Sequence, residues 1–221
     1  MKKFVLLIFT IIFTASFCLA EVFDLEKEGK YQKKVMQIGF RILNENQIEK
    51  RMTFYYAAKQ SVNAATYLKS KQIVVYKGII PFMDTDDEIA AILSHEIAHG
   101  IEAHKGFWNR IAIRRASKTF EYDADRTGID LMVNAGYNPL AMIIILNKIA
   151  EEPNWFERSS SHPDGSERLI SAYSYIYAKY PEFLIENKYK NNIYYQNFLL
   201  TTKAQRKALK DQYINISNKT K

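Results

Sequence analysis

The segment His95-Glu96-Ile97-Ala98-His99 holds two imidazoles and one carboxylate within a single turn of a predicted helix. Because an α-helix has 3.6 residues per turn, His95 and His99 lie on one face and can converge on one ion. Two neutral imidazole nitrogens at this HExxH spacing suit Zn²⁺. Glu96 is placed to take a proton from a zinc-bound water as a general base. On this motif alone, a helix that is merely rich in charge and histidine stays as the alternative.

A zinc site that performs chemistry needs a third protein ligand and an open fourth position. Glu121, which lies 22 residues after His99 in a second helical pattern, is the candidate third ligand. Asp125 shares its helix face and can accept the N–H of a ligating histidine, which fixes the tautomer of that ring. His104 is nine residues after His95 and faces the opposite side of the helix, so it is not a candidate ligand.

The first twenty residues are typical of a secretory signal peptide. A short positive start is followed by the apolar run 4–13 and by small residues that lead to Ala20. The run is shorter than the about 20 residues that a membrane-spanning helix needs. We therefore predict a mature chain, residues 21–221, that is periplasmic or secreted. A lipid anchor at Cys18 and an uncleaved membrane anchor are the alternatives.

The positive charge of the chain is concentrated at its C-terminal end. The whole chain carries +7, and residues 186–221 alone carry eight Lys or Arg and two acidic residues. A nucleic-acid-binding domain would place its basic patch on a folded face, so we expect no nucleic-acid partner. The basic, tyrosine-rich tail 186–221 predicts either a solvated, partly helical end or a peripheral contact with an anionic membrane or an envelope assembly protein.

Hydrophobic periodicity predicts an α+β domain dominated by helices, residues 21–185. Two β-rich runs separated by Lys69-Ser70-Lys71 indicate a hairpin. Thr85 is the predicted N-cap of the helix that carries the histidines, with Glu88 three residues later as in a capping box. The predicted helices are 24–50, the one that starts after Thr85, 117–135, 139–150 and 166–179, and the predicted strands are 52–59, 62–68 and 72–78.

Four motifs occur in a fixed order between about residues 60 and 170: VNAATYL, HEIAH, EYDADRTGIDLM and SHPDGSERL. In these motifs the chain resembles the HtpX-like and CAAX-prenyl-protease-like zinc metallopeptidases, and among them the secreted, soluble branch of BepA-like and LoiP-like proteases. The resemblance implies a zincin-like fold, mostly helical, with a small antiparallel sheet whose edge strand borders the active-site helix. No later segment reads as a membrane span, so a prenylated CAAX substrate is not expected.

The resemblance also implies a role for each residue of the first motifs. His95, His99 and Glu121 would bind one Zn²⁺ per chain, and Glu96 would be the catalytic glutamate. The pair Asn63-Ala64 and the strand that contains Val74 and Val75 would hold an extended peptide by backbone pairing. Binding of this kind uses the peptide backbone and therefore does not depend on the sequence of the peptide.

The late His-Pro motif of the family is matched by His162-Pro163, followed by Arg168. The resemblance implies that both residues lie near the metal. His162 would gate the open zinc position or bind the oxyanion, and Arg168 would stabilise that charge or hold Glu121 or Asp125 in place. A loop histidine and a structural ion pair are the alternative for these two residues.

These observations predict a zinc-dependent endopeptidase of the cell envelope. Its partners would be unfolded or extended protein segments, such as those of misfolded or misassembled proteins. One alternative is a chaperone-like binding protein that uses the same groove. Another is a latent or structural zinc site in which His162 is a fourth ligand.

Overall fold

A computed structural model of the chain describes residues 27–103, 117–150 and 165–219. The predicted mostly helical α+β fold is confirmed. Among the described residues, no helix combines the length and the apolar character that crossing a membrane requires. The elements in chain order are α1 (27–45), β1 (Thr53–Ala57), β2 (Ala64–Tyr67), β3 (Gln72–Tyr76), a 3-10 helix (Lys77–Phe82), α2 (Asp86–Ala103), α3 (Ser117–Asn134), α4 (Leu140–Ala150), α5 (Gly165–Lys179), α6 (Glu182–Ile185), α7 (Ile193–Thr201) and α8 (Lys203–Lys219).

The three strands form one sheet in the order β1-β3-β2. The predicted hairpin is present, because β2 and β3 are antiparallel and Lys71 takes a φ of 57° in the turn between them. The pair β1–β3 is parallel, so the sheet is mixed and not wholly antiparallel as expected. The chain reverses direction at each connection, and β3 then inserts between β1 and β2, which leaves it running the same way as β1.

Helix α2 is anchored at its first turn. The Glu88 N–H donates to Thr85 Oγ1 over 3.3 Å, which is the bond expected of an N-cap. The Glu88 carboxylate accepts from the backbone N–H of Asp84 and pairs with Lys148 of α4, with 3.0 Å between Nζ and Oε2. Glu88 and Lys148 are both buried. This buried ion pair fixes the start of α2 against α4, since separating the charges would leave one of them without a partner.

Helix α3 crosses α2 closely at the histidine motif. A Cβ added at Gly128 would lie 3.2 Å from the backbone nitrogen of His95 and 3.3 Å from the carbonyl carbon of Ser94. On either side of this crossing, Leu93 and Ile97 are fully buried. The absence of a side chain at Gly128 therefore sets the distance between α2 and α3.

The C-terminal region is helical and contributes to the core. Tyr189, Tyr195 and Phe198 are buried members of the main hydrophobic cluster. The Tyr189 hydroxyl donates to Asp87 Oδ2 over 2.7 Å, and Lys188 also pairs with Asp87. The first part of the predicted tail is thus packed against the start of α2 and is not a freely solvated segment.

We expect Gly128→Val to lower the free energy of unfolding by about 1–3 kcal/mol relative to Gly29→Val, because only the first side chain would be forced into neighbouring backbone. Both glycines are helical, and a Cβ at Gly29 would meet nothing within 4 Å. The pair therefore makes the same substitution in a helix, with a large difference in packing. Urea unfolding followed by circular dichroism measures the difference, and equal midpoints would show that α2 and α3 do not need this close approach.

Candidate metal centre

His95, His99 and Glu121 converge, with one ligand atom of each lying within 4.8 Å of the others. The Nε2 atoms of the two histidines are 2.9 Å apart, and each lies 3.3 Å from an oxygen of Glu121. Tetrahedral zinc with ligand bonds of about 2.0–2.1 Å separates its ligand atoms by roughly 3.3–3.4 Å. The two distances to Glu121 match this spacing, and the two imidazole nitrogens lie about 0.4 Å closer together than it. Two imidazoles and one carboxylate are also a ligand set that zinc takes.

The orientation of the His95 ring is fixed by a buried carboxylate. Asp125 is fully buried, and its Oδ1 lies 2.9 Å from His95 Nδ1. A proton on Nδ1 leaves Nε2 as the atom that faces the candidate metal position. Asp125 thus occupies the place that the sequence predicted for it. The His99 ring is held differently, by stacking on Phe120 with 5.0 Å between ring centroids.

Arg168 joins two of the acidic residues of α3, Glu121 and Asp125. Its Nε and Nη2 donate to the two oxygens of Asp125 at 2.7 Å each, and Nη1 lies 3.2 Å from Glu121 Oε2. The sequence left two functions open for this arginine, and the contacts favour the one in which it holds Glu121 and Asp125. His162, the residue predicted to gate the site, lies outside the described residues.

The buried ionisable residues of the centre shift one another's pKa values. Burial would raise the pKa of Asp125, but Arg168 and His95 outweigh it and lower that pKa below its usual value. For His95, burial lowers the pKa, but the hydrogen bonds to Asp125 and Glu121 outweigh it and raise the pKa to about 10. Burial, followed by the charge on His95, lowers the pKa of His99. In the metal-free protein near neutral pH, His95 is therefore the protonated imidazole and His99 is the neutral one.

Glu96 is tied to the sheet by a contact that the sequence analysis missed. The Thr66 hydroxyl lies 2.7 Å from Glu96 Oε2, and its oxygen lies 2.8 Å from the Glu96 carbonyl oxygen. Glu96 is buried, so this hydroxyl is a defining part of its surroundings. Strand alternation puts Thr66 on the same face of β2 as Ala64, but no local pattern indicates that this face meets Glu96.

A cleft opens beside these residues, with a cavity volume of about 60 Å³. His95, Glu96 and Arg168 line its polar side, and Asn63 and Ala64 lie at the end of β2 that borders it. Apolar side chains of α2 and α4, together with Ile79 of the 3-10 helix, form the remaining wall. The volume suits a few waters or the end of one apolar side chain.

The structure corrects the expected role of the strand that contains Val74 and Val75. This strand is β3, which lies at the centre of the sheet and pairs with β1 on one side and β2 on the other. Its backbone groups are already paired, so these two valines cannot hold a peptide by backbone pairing. The backbone carbonyl of Asn63 is also already paired, since it accepts a hydrogen bond from the Tyr76 N–H over 3.1 Å. The two outer edges of the sheet belong to β1 and β2. Gln32 already bonds to the backbone of Phe54 and Tyr56 on β1, so the outer edge of β2 is the better candidate for a peptide.

We expect zinc binding at pH 6 to release about one proton, because His95 Nε2 must lose its proton before it can bind the metal. The sign follows from the pKa of about 10 of His95 in the metal-free protein, which keeps the ring protonated at pH 6. A zinc-bound water has a pKa of about 7, so at pH 6 it contributes little to the number of protons released.

Titration calorimetry in buffers of different ionisation enthalpy measures this proton release. The control variant Asp125→Asn removes one carboxylate from His95, so it should release less than the parent and bind zinc about 10- to 100-fold more weakly. Release near zero in the parent would contradict the assigned protonation of His95.

The model of Peptidase family M48 matches residues 30–108 and 105–175 of this chain. These ranges take in the sheet, α2, α3, α4 and the part of α5 that contains Arg168, and therefore every residue of the candidate centre described above. The match covers about two thirds of the chain.

Curated relatives agree with this match at low identity. The chain is 22% identical over 179 residues to the Beta-barrel assembly-enhancing protease of Yersinia pestis, covering 61% of this chain and 37% of the relative. The corresponding protein of Escherichia coli (strain K12) is 20% identical over 182 residues, with 62% and 37% covered. The Mitochondrial metalloendopeptidase OMA1 of Arabidopsis thaliana is 24% identical over 130 residues, with 46% and 27% covered. The chain thus spans well under half the length of these relatives. From the family match and the geometry of the centre together, the chain belongs to peptidase family M48, the metalloendopeptidases, with His95, His99 and Glu121 as its candidate zinc site.

Proposed function

We propose that this protein is a zinc-dependent endopeptidase of the cell envelope that cleaves extended segments of misfolded or misassembled proteins. The observation that carries the proposal is the convergence of His95, His99 and Glu121 on one point, with Glu96 next to the first ligand in the chain. A purely structural zinc site would have no use for that glutamate, since such sites are closed by four protein ligands.

Each residue of the centre has its own role in peptide-bond hydrolysis. Zinc, when bound, would polarise the scissile carbonyl and make water acidic enough to lose a proton near neutral pH. Glu96 takes that proton and passes it to the leaving amine. Thr66 holds the Glu96 carboxylate from the sheet side, over the 2.7 Å bond. Asp125 and Arg168 keep the His95 ring in the orientation that presents Nε2.

The substrate class follows from the edge of the sheet. A peptide that adds to the free edge of β2 would be held through its backbone, which is common to all sequences. Folded proteins hide such extended segments, so unfolded or misassembled proteins would be the ones cleaved. Thr66 lies on this same strand, and a peptide paired there would lie close to Glu96.

Two observations support an envelope location. Residues 1–20 have the pattern of a secretory signal peptide. The two bacterial relatives above are named for the assembly of β-barrels. By analogy we propose that this chain acts on envelope proteins after export, with His162 as a gate on the metal.

Glu96→Gln is expected to lower the rate of casein cleavage by about 10²–10⁴-fold, because it removes the general base while keeping the shape of the side chain. Zinc content should equal that of the parent, since Glu96 is not among the three converging ligands. Side-by-side assays of cleavage and bound metal on residues 21–221 test this.

A parent protein with bound zinc and no cleavage would contradict the proposed activity. In that case His162→Ala separates the two remaining options. Cleavage restored by this variant would indicate a latent, histidine-blocked peptidase, and continued inactivity would indicate a binding protein that uses the same groove.

Thr66→Val is expected to lower kcat by about 10- to 100-fold, because a hydrogen bond to a charged group is lost while the strand and the side-chain volume are kept. Zinc content and KM should stay near those of the parent. Thr66→Ser, which keeps the hydroxyl, should retain most of the activity. Equal losses in the valine and serine variants would show that the methyl group matters and that Thr66 does not position Glu96.

A further inference from the structure

The C-terminal helices expose three large aliphatic side chains almost completely. Ile185, Ile193 and Leu200 are 83%, 74% and 78% exposed, whereas the other exposed large apolar side chains of the described chain reach 47% at most. Isolated exposed apolar side chains are common, but these three fall within one stretch of 16 residues. Ile193 and Leu200 are seven residues apart in α7 and therefore share one face of that helix.

This face belongs to a helix that is firmly packed on its other side. Tyr195 and Phe198 of α7 are buried. Asn147 of α4 donates to the carbonyl of Tyr194 over 2.8 Å, and the side chain of Asn192 caps the start of α7. The core therefore holds the inner face of α7, and the outward direction of Ile193 and Leu200 is a fixed property of the fold.

The next helix, α8, begins at Lys203, three residues after Leu200, and carries exposed lysines. Lys203, Lys207 and Lys210 are spaced by four and three residues along α8, so they lie on one flank, and all three are exposed. Within the described ranges they form no ion pair with an acidic residue. Arg206 of the same helix turns inward instead, with its guanidinium 5.8 Å from the centre of the Phe198 ring.

We propose that the outer surface of α6, α7 and α8, defined by Ile185, Ile193, Leu200, Lys203, Lys207 and Lys210, docks on an anionic membrane surface. Aliphatic side chains that enter the headgroup region and lysines that attract anionic lipids are the two components of such binding. The charge distribution matches this partner, because residues 186–221 carry eight basic and two acidic residues while the rest of the mature chain is nearly neutral.

The same charges argue against a second copy of the chain as the partner. A symmetric dimer would bring each basic surface against its own equivalent, and the lysines would repel one another. The proposal goes beyond the proposed peptidase function and does not depend on it.

Vesicle co-sedimentation tests the docking surface on residues 21–221, which retain every described residue. We expect binding to phosphatidylcholine vesicles that contain about 30% phosphatidylglycerol, little binding to pure phosphatidylcholine, and weaker binding when salt rises from about 0.02 M to 0.3 M. The triple variant Lys203→Gln, Lys207→Gln, Lys210→Gln should bind the anionic vesicles roughly 10- to 100-fold more weakly. The double variant Ile193→Gln, Leu200→Gln should also bind more weakly, and its loss should persist at high salt.

Matched control variants distinguish binding through this surface from a general effect of net charge or of exposed apolar side chains. Lys30, Lys33 and Lys69 are exposed elsewhere, so changing all three to Gln makes the same change in net charge. Met36 and Leu68, which are 40% and 41% exposed, provide the apolar control. Circular dichroism confirms that each variant is folded.

Three results would overturn the proposal. The first is a parent protein that does not prefer anionic vesicles. The second is a lysine control that binds as weakly as the α8 variant. The third is a parent dimer that Ile193→Gln, Leu200→Gln converts to a monomer while vesicle binding is unchanged, which would make the surface a self-association site.

Discussion

The buried carboxylate of Asp125 is the constraint around which the centre is arranged. An ionised carboxylate without a partner in the protein interior would cost several kcal/mol, and here two bonds from Arg168 and one contact with His95 compensate it. These partners belong to α2 and α5, while Asp125 belongs to α3. One charge thus joins three helices that are far apart in sequence. Since Arg168 also pairs with Glu121, α5 helps to hold one of the three candidate ligands in place.

Helix α2 is held independently at three points along its length. Lys148 fixes its first turn through Glu88, the close contact at Gly128 sets its distance from α3, and Thr66 binds it from the sheet. The two histidines point toward Glu121 and Asp125 of α3, while the Glu96 carboxylate is bound by Thr66 of the sheet. The base and the ligands therefore depend on different neighbours, and a change in the sheet can affect Glu96 without moving the histidines.

Local spacing in the sequence predicts which side chains share a face of one helix, because four residues along a helix return to nearly the same face. This holds for His95 with His99 and for Glu121 with Asp125, and the structure brings all four side chains together. That Glu121 meets the two histidines of another helix was implied by the family resemblance. Strand order is different, since it depends on which strands pair after the chain has folded. No local pattern indicates that β3 lies between β1 and β2, and the resemblance therefore implies a peptide-binding edge at Val74 and Val75 that they do not occupy. Thr66 was missed for a similar reason, because its partner Glu96 is 30 residues away.

The Thr66 hydroxyl has two acceptors within reach and only one proton to donate. Its oxygen lies 2.7 Å from the Glu96 carboxylate and 2.8 Å from the Glu96 carbonyl, so rotation about a single side-chain bond can redirect the proton between them. When Glu96 carries its charge, the proton points to the carboxylate. When Glu96 has taken up a proton, the same hydroxyl can turn to the carbonyl and accept from the acid. The Thr66 hydroxyl can in this way form a hydrogen bond with Glu96 in both of its charge states without any movement of the backbone.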